Sequence, residues 1–171
     1  DSDEHSSSLE LGGAAVDGVF GSAFGNTGQR CLAGSVVVCV GDTAEWLVPA
    51  LAERAKAMNV GVDMGPMQEQ ETCDRVLEYI AIGEEEGATL VVDGRDHETP
   101  SVGCFVGPTI FDHVSPDMRV CMEEIFGPVL SVMRAASLEE AVGFVNQSEY
   151  GNMSVIFTDS GHAVRKFERT V

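Results

Sequence analysis

Short apolar runs alternate with helix-like apolar stripes along most of the chain, and this alternation is the strongest constraint on its fold. The run at residues 35–40 is apolar at nearly every position, which is typical of a strand buried on both faces of a sheet. Residues 89–92, 129–133 and 154–158 form similar runs. Because strands that alternate with helices usually pair in parallel, we predict an α/β fold with a largely parallel sheet covered by helices.

Apolar residues at helical spacing predict the elements between these strands. Val16, Phe20 and Phe24 recur every four residues and give residues 14–24 one apolar stripe. Ser137 is followed three residues later by a glutamate, which favours the start of another helix. Similar signals predict helices at residues 42–58, at 68–86 and from 160 onwards, a strand end at 9–13 and an extended edge segment at 105–111.

Length and charge restrict the partners that this chain can have. Its 171 residues suffice for one domain with its own core, and the net charge is −18. So acidic a surface repels phosphate backbones, and we expect no nucleic-acid partner. No apolar run approaches the roughly 18 residues of a membrane span, so we expect no membrane partner either.

The five cysteines predict free thiols in a reducing compartment. Their number is odd and no two form a CxxC pair, which argues against a disulfide framework and against a zinc site, so we predict no metal. The cytoplasm is the simplest location for such a protein. Four of the five cysteines are expected to pack as small hydrophobic core residues: Cys39, Cys73, Cys104 and Cys121.

Cys31 differs from the other cysteines in its surroundings. It follows a glycine-containing turn and the cation Arg30, and it precedes the apolar run at residues 35–40. A nearby guanidinium and free backbone N–H groups favour the thiolate, which is the nucleophilic form. We therefore predict that Cys31 is a catalytic nucleophile, against the alternative that it too is a small apolar core residue.

A nucleophile of this kind needs a general base, and Glu10 is the best candidate. It belongs to the apolar segment at residues 9–13, beside two glycines. A carboxylate in partly apolar surroundings can have its pKa raised into the working range of a base. The alternative, a solvated glutamate at the end of a strand, fits the residues equally well. None of the four histidines is tied to Cys31 by the sequence.

Residues 123–128, with the sequence EEIFGP, combine two carboxylates, an aromatic ring and a Gly-Pro turn. One carboxylate could accept hydrogen bonds from ribose hydroxyls while the ring packs against a flat ligand. Without further information, the same residues favour a charged turn before a strand.

Three motifs follow one another in the chain: LELGG at residues 9–13, GNTGQRC at 25–31 and EEIFGP at 123–128. Together they resemble the signature set of the NAD(P)-dependent aldehyde dehydrogenase superfamily. The segments FVGPTI at 105–110 and YG at 150–151 also resemble turns of that family. The resemblance implies the fold of the family's catalytic domain, and assembly into a homo-oligomer, as a dimer or tetramer.

The resemblance also implies a thiolate mechanism that oxidises a small aldehyde to an acid. Cys31 would attack the aldehyde carbon, helped by its own backbone N–H group at the oxyanion, and would carry a thiohemiacetal and then a thioester. Glu10 would activate the water that hydrolyses the thioester. Glu124 would hold the nicotinamide-ribose hydroxyls of NAD or NADP, and Phe126 would pack near the nicotinamide.

The residue before the nucleophile narrows the resemblance. Arg30 resembles its counterpart in the methylmalonate-semialdehyde and aminoadipic-semialdehyde branches, which hints at an acidic or CoA-linked substrate. The resemblance is nearest to the semialdehyde dehydrogenases, although the branch that uses CoA as acyl acceptor typically lacks the glutamate found here at Glu10.

The chain also departs from the family pattern. Only 21 positions separate Glu10 from Cys31, fewer than in the family, and a lysine, a strand and an acidic turn are missing after Gly13. We expect the N-terminal dinucleotide-binding domain and the C-terminal strands with their oligomerisation tail to be absent. Residues 1–8 are then a polar end or cut linker, and residues 9–171 a partial catalytic domain.

Two other functions stay open. The chain could be a truncated, non-catalytic remnant of such an enzyme that acts only as a folded or assembly module. It could also be a general α/β ligand-binding module whose cysteines are incidental. Esterase activity that depends on Cys31 would separate the enzyme from both, because acyl transfer to a thiol needs no nucleotide.

Overall fold

A computed structural model describes the backbone of residues 2–171 and the side chains of residues 11–171. Two short 3₁₀ turns, Gly25–Gly28 and Gly94–Asp96, connect some of the regular elements. The helices and strands are α1 (Ser2–Phe24), β1 (Val36–Val40), α2 (Thr43–Lys56), α3 (Gln70–Glu85), β2 (Thr89–Val92), β3 (Thr109–Asp112), α4 (Arg119–Met122), β4 (Val129–Ala135), α5 (Leu138–Gln147) and α6 (Gly161–Thr170).

The four strands form one sheet in the order β1-β4-β3-β2. β4 pairs in parallel with β1 on one side and with β3 on the other, whereas β2 joins β3 antiparallel. Two of the three pairings are thus parallel, and helices lie between β1 and β2 and between β3 and β4 along the chain. The predicted α/β fold with a largely parallel sheet is confirmed.

Helices cover both faces of this sheet and give each face its own core. Successive side chains of a strand point to opposite faces. Leu130 and Val132 of β4 therefore pack with α1 and α2, while Val129 and Met133 pack with α3. As far as the structure describes the chain, no helix combines the length and the apolar composition needed to cross a membrane.

The predicted strand end at residues 9–13 is wrong, because the backbone is helical from Ser2 to Phe24. A strand must satisfy its N–H and C=O groups on a neighbouring strand, whereas a helix satisfies them within itself. Gly12 and Gly13 lie inside this helix, where each costs about 1 kcal/mol relative to alanine. Asp1, the first residue of the predicted polar end, lies outside the described residues.

Three further predictions on the sheet are wrong because the position of a strand depends on its neighbours. β3, predicted at an edge, lies between β4 and β2, and Pro108 precedes it, where it removes no ladder hydrogen bond. β1, predicted to be buried, lies at an edge, and Cys39 is its one buried residue. Residues 154–158 join no strand of the described chain.

A buried ion pair connects the sheet to α2. Asp112, at the end of β3, is only 5% exposed and accepts hydrogen bonds from Nη2 and Nε of Arg134 at 2.7 and 3.2 Å. The same guanidinium donates to Glu45 in α2. Burial of a carboxylate is costly unless a cation compensates it, so the fold depends on Arg134 to keep Asp112 in place.

We predict that Arg134→Ala lowers the free energy of unfolding by about 3–5 kcal/mol, because it leaves the charge of Asp112 buried and uncompensated. Urea unfolding followed by circular dichroism measures the loss. Lys166→Ala is the control, since Lys166 pairs with Glu139 on the surface and its removal should cost about 1 kcal/mol or less. Equal losses in the two variants would contradict the assigned role of Arg134.

Candidate active site

Cys31 lies on an exposed turn that follows the end of α1. The 3₁₀ turn Gly25–Gly28 begins the reversal of the chain, and Asn26 and Thr27 in it have φ angles of 53° and 57°. Left-handed backbone costs on the order of 1–2 kcal/mol for a residue with a side chain. Neighbouring contacts must therefore hold the chain in this conformation just before the thiol.

Side-chain hydrogen bonds hold the turn from two sides. The hydroxyl of Thr27 donates to Oε1 of Gln29 at 2.9 Å, and both residues are buried. On the outside, Nη2 of Arg30 donates to the backbone carbonyls of Gly21 and Ser22 at 3.1 and 2.9 Å. These carbonyls belong to the last turn of α1, where a cation is favoured. Arg30 thus fixes the residue before Cys31 to the end of the helix.

The turn packs directly against the EEIFGP segment through two glycines. A Cβ atom added to Gly28, whose φ is +68°, would lie 2.2 Å from the carbonyl oxygen of Gly127. Behind that contact, a Cβ atom on Gly127 would lie 2.4 Å from Cγ2 of Val76 in α3. Real Cβ atoms do not approach other atoms so closely, and glycine is therefore required at both positions. The contact brings two of the sequence motifs together.

The two adjacent glutamates of this segment have different surroundings. Both carboxylate oxygens of Glu123 accept hydrogen bonds from Arg119, at 2.8 and 3.0 Å, and Tyr79 also donates to it. Arg119 first, and then Tyr79, lower the pKa of Glu123 to about 2. The side chain of Glu124 is exposed, and no hydrogen bond within residues 11–171 engages it. Glu124 is thus the carboxylate that is free to bind a ligand.

Three of the four predicted site residues open on one cavity. It has a volume of about 940 Å³, and Cys31, Glu124 and Phe126 contribute to its lining. Phe126 lies in the segment that packs against the Cys31 turn. Its φ of 57° places it, like Asn26 and Thr27, in the left-handed region that favours glycine. The cavity therefore joins an exposed thiol, a free carboxylate and an aromatic ring. Within the described residues, no cluster of potential metal ligands was found.

The fourth predicted residue, Glu10, lies in α1, and its side chain is outside the described residues. Leu11, the next residue, lines the cavity, as does Ala23 near the other end of the helix. Glu10 precedes Phe24 by 14 residues. At 1.5 Å per residue, this separation is roughly 21 Å along the helix axis. The cavity extends over much of this length.

Sequence reasoning missed the residues that orient the site. The side-chain amide of Asn152 donates to the backbone carbonyl of Cys31, yet the sequence around it predicted only a turn. Tyr79 binds Glu123 across 44 positions, a pairing that no local pattern reveals. The spacing of Arg119 and Glu123, four residues apart, could have predicted their ion pair.

The other four cysteines fall into two groups, two free thiols and one bonded pair. Cys39 is 1% exposed, and burial, with the nearby charge of Asp112, raises its pKa to about 11, so the predicted core role is confirmed. Burial raises the pKa of Cys121 as well. For Cys73 and Cys104 the prediction of free thiols is wrong, because the two sulfurs are bonded. They are 31 positions apart, and only tertiary packing brings them together.

Known proteins match this chain over most of its length. The sequence model described as "Aldehyde dehydrogenase family" matches residues 10–171. The chain is 48% identical, over 164 residues, to malonate-semialdehyde dehydrogenase 3 of Geobacillus kaustophilus, and the match covers 92% of the chain and 34% of that protein. It is 42% identical to malonate-semialdehyde dehydrogenase of Bacillus pumilus, with 92% and 34% covered. The chain thus spans about a third of the length of the curated relatives it matches.

Solved structures give the same result. Methylmalonate-semialdehyde dehydrogenase from Oceanimonas doudoroffii is 43% identical, with a TM-score of 0.86 over 91% of this chain and 34% of that one. The NAD⁺ complex of aldehyde dehydrogenase from Bacillus cereus is 34% identical, with a TM-score of 0.87 over 95% of this chain and 33% of that one.

We predict that Gly28→Ala lowers the free energy of unfolding by at least about 2 kcal/mol, because alanine is strained at positive φ and its Cβ collides with Gly127. Chemical denaturation measures this. Gly21→Ala is the matched control: Gly21 lies inside α1 with no atom near its added Cβ, so the variant should gain about 0.5–1 kcal/mol. Tolerance of alanine at position 28 would contradict the glycine contact.

The ion pair of Glu123 predicts a dependence of stability on acid. The folded pKa of Glu123, about 2, lies below its ordinary value of 4.5, so the ionised carboxylate stabilises the fold above pH 4.5, and this contribution is lost as the pH falls toward 2. Unfolding curves between pH 2 and 6 should therefore fall less steeply in Glu123→Gln than in the wild type. Glu124→Gln should keep the wild-type slope; a changed slope there instead would refute the assignment.

Proposed function

This chain belongs to the aldehyde dehydrogenase family, and we propose that it carries the thiol site of an NAD-dependent enzyme that oxidises a small aldehyde to an acid. The observation that carries the proposal is the common cavity on which Cys31, Glu124 and Phe126 open. The family match supports this reaction, and the lining of the cavity supports the roles proposed below for its residues.

Cys31 is the proposed nucleophile because it is the exposed free thiol of this cavity. Its sulfur attacks the carbonyl carbon of the aldehyde to form a thiohemiacetal, and loss of hydride from that carbon leaves a thioester on the same sulfur. The backbone N–H group of Cys31 has no acceptor among the described hydrogen bonds. It is therefore available to donate to the oxyanion of the thiohemiacetal.

Glu124 and Phe126 are the proposed contacts to the nicotinamide riboside part of NAD. When bound, NAD accepts the hydride that the aldehyde carbon loses. The hydrogen-bond partners of the two glutamates support this role. Arg119 and Tyr79 already donate to Glu123, whereas Glu124 is free to accept hydrogen bonds from two ribose hydroxyls. Phe126 presents its ring to the same cavity, where it can pack against a planar base.

Glu10 is the proposed base that activates water for hydrolysis of the thioester. A general base must come within hydrogen-bond reach of the water it deprotonates. Since Glu10 precedes the end of α1 by roughly 21 Å at 1.5 Å per residue, the proposal requires that residues 9–13 unwind from the helix during hydrolysis. Gly12 and Gly13 weaken that end of α1 and make such unwinding less costly.

The proposed substrate is a short semialdehyde that carries a carboxylate. Among the described residues that line the cavity, Arg30 is the single cation. Two of its contacts are with α1, and its exposed guanidinium has further N–H donors that can reach a carboxylate. An anionic substrate needs such a local cation on a chain with a net charge of −18. The names of the malonate-semialdehyde dehydrogenases that the chain resembles support the same substrate class.

We further propose that the enzyme works as a homo-oligomer in the cytoplasm. Several large apolar side chains stay exposed near the site, as expected of a surface that another subunit covers; they are Leu32, Tyr150, Met153, Val155 and Phe157. A reducing compartment keeps the thiol of Cys31 available for catalysis.

Hydrolysis of p-nitrophenyl acetate tests the thiol without any nucleotide. We predict that Cys31→Ser lowers the rate to that of uncatalysed hydrolysis, because the acyl group is transferred to this sulfur. Cys121→Ser is the matched control, since this thiol lines the same cavity and burial raises its pKa, and it should keep the wild-type rate. Glu10→Gln should keep the initial acylation burst but slow the steady state.

The other outcomes are equally informative. Turnover that is indifferent to Cys31→Ser would overturn the proposal and favour a non-catalytic folded or assembly module. A steady state unchanged in Glu10→Gln would remove Glu10 as the base while leaving Cys31 as the nucleophile.

A further inference from the structure

Cys73 and Cys104 join α3 to the segment that leads into β3. Cys73 lies in the first turn of α3, and the Cα atoms of the two residues are 6.4 Å apart, within the range of a disulfide. A second contact keeps the same elements in place, because the backbone N–H of Met67 donates to the carbonyl of Cys104 at 2.8 Å. The pair therefore has a backbone that positions both sulfurs whether or not they are bonded.

The two sulfurs differ in access to solvent. Cys73 is 2% exposed, whereas Cys104 is half-buried. Residues 101–103, which precede Cys104, are exposed, and Val102 is 85% exposed. A small disulfide reagent can thus approach Cys104 along this open loop, while Cys73 is buried. This is the arrangement of an attacked cysteine next to a resolving cysteine.

Packing contacts connect the Cys73–Cys104 pair to the candidate site. Cys73 belongs to the same buried cluster as Val76 and Ile125. Val76, one turn further along α3, touches Gly127, and Gly127 touches the Cys31 turn. A covalent bond at Cys73 restrains the start of α3, and through Val76 it restrains the EEIFGP segment against which that turn packs.

We propose that Cys73 and Cys104 form a reversible thiol–disulfide site that a low-molecular-weight disulfide oxidises and the corresponding thiol reduces. In oxidation, the Cys104 thiolate attacks the reagent RSSR, an S–S bond breaks, and RS⁻ leaves as RSH after it takes a proton. The Cys73 thiolate then attacks the mixed disulfide at Cys104 and releases the second RSH. Two protein thiols are oxidised and one RSSR is reduced to two RSH, so electrons and protons balance.

The bonded state holds α3 and the EEIFGP segment more rigidly than the dithiol state. This inference concerns residues outside the catalytic roles given above, and it stands whether or not the chain oxidises aldehydes.

Glutathione buffers of graded disulfide-to-thiol ratio test the site on the full chain. A Cys31→Ser background removes the exposed thiol. Alkylation followed by peptide mass spectrometry should find a linked Cys73–Cys104 pair that appears and disappears reversibly with the ratio. Oxidation should raise Tm by roughly 5–15 °C. It should also slow amide hydrogen exchange at residues 123–128, and leave exchange in α2, whose buried residues belong to the other core cluster, unchanged.

Single variants assign the order of attack. Cys73→Ala should trap one glutathione on Cys104, whereas Cys104→Ala should leave Cys73 unmodified, because it is buried. Cys121→Ser should behave as the parent chain. The proposal is overturned if both thiols alkylate equally in all buffers, if a thiol excess reduces the bond only after unfolding, or if exchange at residues 123–128 does not respond. These outcomes do not depend on the esterase result.

Discussion

The candidate site depends on one close contact between two backbones. Gly28, in the left-handed turn before the thiol, touches the carbonyl of Gly127, and Val76 of α3 supports Gly127 from behind. Because neither glycine has a Cβ atom, the two loops approach more closely than any other residues would allow. The position of Cys31 relative to Glu124 and Phe126 follows from this contact and is not set by either loop alone.

The contact between Gly28 and Gly127 also explains why the strained backbone near the site is stable. Asn26, Thr27 and Phe126 all have positive φ, and they lie on the two sides of the glycine contact. Strained residues persist only where surrounding structure over-determines them. Here Arg30 fixes one loop to the end of α1, and the hydrogen bond that Tyr79 donates to Glu123 fixes the other to α3. A thiol held in this way is exposed and yet constrained.

Charge selects the roles of neighbouring residues that look alike in the sequence. Of two adjacent glutamates, Glu123 pairs with the charge of Arg119 and accepts a hydrogen bond from Tyr79, and Glu124 makes no such contact among the described side chains. At the opposite end of the sheet, Arg134 compensates the buried Asp112 and links β3, β4 and α2. The chain has few cations, and two of them, Arg119 and Arg134, fix the positions of carboxylates that would otherwise be without a counter-charge.

The sequence by itself determined the α/β class, most helices and three of the four strands, because apolar periodicity is a local property. It also predicted Cys31 from its immediate surroundings, and it predicted Glu124 and Phe126 through the resemblance of their contiguous motif to a known family. Only the tertiary structure decided which strands lie at the edge of the sheet, that residues 9–13 belong to helix α1, and that Cys73 lies beside Cys104. Each of these depends on neighbours distant in the chain, and no local pattern encodes which neighbour is present.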